Sequence, residues 1–138
     1  RNRAFEIAVA KAAGWEVRRT ATMLVLGVDV DREVPVIGGG WWLAAPSENR
    51  VPWPAEICQD AETARRRDTP NFLTDDSAAG QLVDAVVPRR CNWLGLCSCD
   101  EGWKAEVVNL GDIVGWHIAA IRSEAITRAI GKALGVVR

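Results

Sequence analysis

The segment from Asn92 to Leu110, NWLGLCSCDEGWKAEVVNL, decides the architecture. Asn92 to Cys99 and Trp103 to Leu110 are two apolar runs separated by Asp100-Glu101-Gly102, and such a glycine-bearing break predicts a β-hairpin. In the second run Trp103, Ala105 and Val107 alternate with Lys104, Glu106 and Val108, so one face is largely apolar and the other carries charge. A second turn at Asn109 to Asp112 leads into Ile113 to Ile121. Its apolar density predicts a third strand, central in an antiparallel meander.

Helices flank this meander. Thr74 reads as an N-cap with Asp75 and Asp76 at the positive end of the helix dipole, and Ala79, Leu82, Val83 and Val86 form one stripe before Pro88. The helix start accounts for the two aspartates without an acid–base or metal role. After the meander, Ser123 reads as a cap with Glu124 in the first turn. Ile126, Ala129, Ile130, Ala133, Leu134 and Val137 then give the strongest helical periodicity in the chain. At the other end Phe5, Ala8, Val9 and Ala12 predict a helix over Arg3 to Ala13, closed by Gly14. Trp15 to Arg19 and Met23 to Val30 read as strands. The order is that of an α+β fold, expected as an α-β-α sandwich with a mainly antiparallel sheet between helices.

The 138 residues suit a single domain, 1–138, interrupted by a Gly/Pro/Trp-rich insertion at about 34–70. Within it, Gly38 to Gly40 reads as a plain turn, lacking the spacing of a dinucleotide or phosphate loop. Ala55 to Arg67 holds a short helix ending in three arginines.

A hydrophobic share of 49%, a charged share of 25% and a net charge of -1 describe an ordinary folded domain with no global pull toward nucleic acid or an anionic membrane. No apolar run reaches the roughly 18 to 20 residues of a membrane span, and Arg1 to Ala13 is amphipathic rather than a signal-peptide block. A cytoplasmic protein is expected.

Seven tryptophans stand against no tyrosine and one histidine, a balance that favours binding over proton-transfer chemistry. Trp15, Trp93, Trp103 and Trp116 fall on or beside strands, where packing against helices accounts for them. Trp41, Trp42 and Trp53 fall in the insertion, beside Arg50 and the run Arg65, Arg66 and Arg67. These seven residues are the candidate ligand-binding set, the indoles as stacking surfaces and the guanidiniums as anion donors. The cysteines Cys58, Cys91, Cys97 and Cys99 lack the spacing of a structural zinc site. In a strand, Cys91, Cys97 and Cys99 share a face with Trp93 and Gly95 and read as small core residues. A thiol–imidazole pair with His117 is the best enzyme that can be assembled, and no local motif supports it. No cofactor and no metal is expected.

The opening helix running into Gly14-Trp15, the helix entry Pro70-Asn71-Phe72-Leu73-Thr74-Asp75-Asp76-Ser77-Ala78-Ala79, the tryptophan-bearing hairpin and the closing Ser123-Glu124-Ala125-Ile126-Thr127-Arg128-Ala129-Ile130 resemble, in order and spacing, the phage ABA sandwich domain family of small phage and prophage proteins. The insertion from Val34 to Arg67 departs from that family's shorter connection. The resemblance implies an α-β-α sandwich of phage origin and carries over no catalytic residue. The expected function is that of a small, non-enzymatic accessory protein in the host cell that binds a host or phage protein. The alternatives are a sponge for a nucleotide immune signal, a Cys-His enzyme and a structural virion component. A homo-oligomer is expected, because so many indoles leave surface to hide.

Overall fold

The computed structural model describes residues 2–20, 23–26, 33–36 and 40–136. It shows an α+β protein. The elements are α1 (Asn2–Ala13), β1 (Glu16–Thr20), β2 (Met23–Leu26), β3 (Glu33–Val36), β4 (Gly40–Ala44), a short 3-10 turn (Pro54–Glu56), α2 (Ala61–Asp68), α3 (Asp76–Val86), β5 (Trp93–Cys99), β6 (Gly102–Asn109), β7 (Asp112–Ala119) and α4 (Arg122–Ala133). Parts of the second expected strand, 27–30, and of the glycine turn, 38–39, lie outside the described residues.

The chain forms two compact units, one of Arg1–Gly14 with Pro70–Arg138 and one of Trp15–Thr69. In the first, the meander β5-β6-β7 is antiparallel throughout, with Trp93 opposite Val108 and Cys99 opposite Gly102 across the hairpin. The middle strand is β6, not the Ile113 to Ile121 run, whose strand β7 forms an edge. The apolar density of β7 is therefore not a mark of full enclosure.

One face of this sheet is covered by α4, which lies over β6 and β7, while α1 and α3 pack beside α4. Periodicity dictates which residues meet there. Ala105 and Val107 of β6, Ala125, Ala129 and Ile130 of α4, Leu82 and Val86 of α3, and Val9 of α1 are buried. Each large aliphatic among them contributes about 1.5–3 kcal/mol of burial. The close approach of α4 requires Gly115. A Cβ there would fall 2.2 Å from the Ala129 carbonyl oxygen and 2.7 Å from the Ala133 nitrogen.

Two hydroxyls and one carboxylate tie the helices to the Phe72–Leu73 loop. Thr127 Oγ1 donates to the Phe72 carbonyl and Ser123 Oγ to the Leu73 carbonyl, each at 2.9 Å, and Leu73 N donates to Glu6 Oε2 at 3.0 Å. Ser123 is thus not the cap expected of it. The N-cap position falls on Ile121, without a side-chain bond. The cap of α3 is likewise Asp75, accepting from Ser77 N at 2.9 Å, rather than Thr74. Asp76 instead faces Arg122 at 3.6 Å.

In the second unit β1 pairs antiparallel with β4, setting Arg18 opposite Trp42 and Arg19 opposite Trp41. A separate pair joins β2 and β3, with Met23 opposite Val36. The helix expected at Ala55 to Arg67 is split into the 3-10 turn and α2. Asp60 caps α2, accepting from Thr63 N at 2.7 Å. This helix packs on β4 and β1 through the fully buried Ala64.

Candidate functional site

Trp41 and Trp42 lie on β4 and Arg50 and Trp53 in the loop after it, where Arg50 joins Trp42 to the Glu56 that Trp53 also contacts. Trp42 is only 4% exposed, so it is a core residue. The guanidiniums of Arg18 and Arg50 lie 5.5 and 5.3 Å from its ring centroid, and Arg19 sits 5.6 Å from that of Trp41. These are cation–π contacts made by the chain's own arginines. Trp41 is also bound through its backbone to Cys58, which donates to Trp41 O at 2.7 Å.

Arg50 is held by two carboxylates. Its Nε donates to Glu48, and Nη1 donates to Glu56 Oε2 at 2.7 Å. Glu56 in turn accepts from Trp53 N at 2.7 Å. The hydrogen bonds to Glu56 and Glu48 raise the Arg50 pKa, and the same Arg50 bond is the main cause that lowers Glu56. The charge of Arg50 is therefore matched inside the cluster, and an arriving phosphate would have to displace carboxylates already in place. Trp53 stands out at 73% exposure. Arg65, Arg66 and Arg67 occupy the last turn of α2, where Arg67 Nε pairs with Asp68 at 2.8 Å.

A second surface emerges on the meander. Strand alternation puts Trp93, Gly95, Cys97 and Cys99 of β5 on the face turned away from α4, with Lys104 and Glu106 of β6 and Trp116 and Ile118 of β7. Gly95, Glu106 and Trp116 stand in one row across the three strands; Cys97, Lys104 and Ile118 stand in the next. Lys104 Nζ bonds Glu106 Oε1 at 2.8 Å and sits 5.8 Å from the Trp116 centroid. Trp93, Gly95, Leu96, Cys97, Lys104 and Glu106 line a shallow cleft of about 210 Å³.

Trp93 is 55% exposed and Trp116 51% exposed. Packing against helices buries neither, because both lie on the face that α4 does not cover; only Lys132 of α4 reaches round the edge, 5.4 Å from the Trp116 centroid. Cys97 is exposed and Cys99 half-exposed for the same reason, so neither is a core residue, whereas Cys58 and Cys91 are buried. Burial raises the pKa of both buried thiols. Strand periodicity places Cys97, Cys99 and Trp93 on one face. It does not say which face the helices take.

His117 lies opposite Ala105, on the helix side of the sheet, with β6 between it and the strand carrying Cys97 and Cys99. Those thiols and the imidazole do not meet. His117 Nδ1 lies 3.1 Å from Lys132 Nζ, and burial, followed by the nearby charges of Lys132 and Arg128, lowers its pKa. Among the described residues no group of three or more His, Cys, Asp or Glu side chains is placed to hold a metal ion, and no helix is long and apolar enough to cross a membrane.

No family model, no curated protein and no solved structure matches this chain.

Proposed function

We propose that this is a non-enzymatic binding protein, a phage- or prophage-derived accessory factor that docks on a host or phage protein in the host cytoplasm. The observation that carries the reading is the pair of half-exposed indoles, Trp93 and Trp116, held on strands and flanking the Lys104–Glu106 ion pair. Rigid tryptophans around a small polar centre are the composition of a protein-docking surface, since large aromatics lose little side-chain freedom on binding and dominate contact energies. The phage origin rests on the resemblance in order and spacing of the helix and hairpin segments. Sequestration of a nucleotide is less well supported, because Arg50 is already engaged by Glu48 and Glu56 and Trp42 is buried.

The test is capture from host lysate with the whole chain, identification of the retained protein, and titration of the purified pair. Replacing Trp93 and Trp116 together by alanine is expected to weaken that complex by tenfold or more. Undiminished binding by the double variant sinks the reading. So does saturable quenching of tryptophan fluorescence by a nucleotide with no protein retained.

A further inference from the structure

Every strand of the meander has a partner on one side at least, but its two edges are treated differently. At the β7 edge Lys132 reaches from α4 and donates to the Trp116 carbonyl at 3.0 Å. The β5 edge carries none of the usual guards, since Trp93 to Cys99 contains no charged residue and no proline. Its side chains are also poorly covered: Leu96 is 36% exposed on the helix side, and Trp93, Cys97 and Ser98 are exposed. Among the described residues β5 pairs only with β6, and an uncharged strand left open in this way is a template for strand addition.

We propose that the occupant is a second copy of this chain. Two molecules join β5 to β5 in antiparallel register about a two-fold axis through Leu96, merging two three-stranded sheets into one. The charges around β5 select this arrangement. Exposed Arg90 precedes the strand, and exposed Asp100 and Glu101 follow it. Antiparallel self-pairing brings each Arg90 beside the partner's acidic turn, whereas parallel pairing would set like charges together. With Leu96 on the axis, Trp93 faces the partner's Cys99 and Gly95 faces the partner's Cys97, so the one bulky side chain on that face meets a small one. A net charge of -1 leaves little global repulsion to oppose association. Seven residues at about 3.3 Å each make a seam of roughly 23 Å. Such a seam is short for a standard interface of about 800 Å² per partner, so the dimer is concentration dependent.

The axis supplies the test, because Leu96 meets its own copy. Sedimentation velocity of the full chain over the micromolar range is expected to show a reversible monomer–dimer equilibrium. Leu96→Lys and Leu96→Glu should each weaken it by roughly tenfold or more by setting like charges opposite one another. An equimolar mixture of the two variants should recover dimer as the mixed species. Far-ultraviolet circular dichroism checks that each variant is folded. A wild-type chain that stays monomeric, variants that dimerise like wild type, or a mixture no better than its components each overturns the proposal. Trp93 borders this seam, so partner capture is also followed with Trp116→Ala alone, which should leave the dimer intact; the two proposals can then fail independently.

Discussion

The indole of Trp93 lies across Gly95, two residues along the same strand, so that a Cβ built on Gly95 would fall 2.3 Å from Cη2 and 2.6 Å from Cζ3 of the ring. The missing side chain is what lets the ring rest on the sheet. Replacing Gly95 by Ala should lift the ring away. Because the obstructing atoms belong to a side chain more than half exposed, the fold should survive with a stability change within about 0.5 kcal/mol. Acrylamide quenching, compared with a Trp93→Phe control carrying the same change, should show greater access to this one indole. Unchanged quenching would mean that the ring does not depend on Gly95.

Gly115 presents the opposite case. Its close neighbours are the backbone atoms of Ala129 and Ala133, which cannot swing aside. Gly115→Ala should therefore separate α4 from β7 and cost about 1–3 kcal/mol, read as a lower urea midpoint. A midpoint equal to wild type would refute the close helix–strand approach.

Lowering of the His117 pKa makes stability depend on pH with a defined sign. The folded chain binds this proton less readily than the unfolded chain, whose imidazole titrates near pH 6.5. The stability tied to the neutral ring is complete above that value and is lost as pH falls below it toward the folded-state pKa. Urea midpoints between about pH 7.5 and 5.5 should decline in wild type, and His117→Gln should flatten the decline. An equal slope in both proteins would assign the effect to other groups.

The thiols should divide by burial. In native protein, iodoacetamide at neutral pH should modify Cys97 and Cys99, while Cys58 and Cys91, buried and with raised pKa, should react only after denaturation. Peptide mapping reads the result. Prompt labelling of Cys91 would contradict its placement.

Local patterning was enough to recover the elements of the first unit. Leu82 and Val86 in α3, Ala129 and Ile130 in α4, and Val9 in α1 recur at helical spacing and are buried, while Ala8, Ala12, Val83, Ala133 and Leu134 of the same stripes are half-buried and Val137 lies outside the described residues. Longer-range relations escaped it. Ser123 has the form of a cap, yet its hydroxyl is spent on a carbonyl fifty residues away in sequence, a partner no local rule can see. Glu6 is charged and still buried because it accepts from the Leu73 backbone.

The binding candidates show the same limit. Trp41, Trp42 and Arg50 are near in sequence, and Arg50 does lie over Trp42. The burial of Trp42 and the neutralisation of Arg50 depend on Arg18, Glu48 and Glu56, whose approach only the paired strands and the following loop reveal. Alternation defines two faces without telling which one the helices cover, so the sequence alone reads Trp93 and Trp116 as packing residues. Their spacing across β5, β6 and β7 was the available signal: cross-strand neighbours with charged residues between them seldom line a core.

The lysine that bonds the Trp116 carbonyl limits how many molecules can assemble in this way. A sheet with two open edges can recruit copies at both ends and run on into a fibre, whereas one with a single open edge is exhausted by its first partner. With the Lys132 ammonium at the β7 edge, on the Trp116 carbonyl, pairing through β5 is expected to stop at two molecules. Removing that ammonium with Lys132→Ala would free a second growing end. An uncharged edge can therefore persist on this protein without seeding polymer, because the opposite edge carries a lysine that disfavours extension.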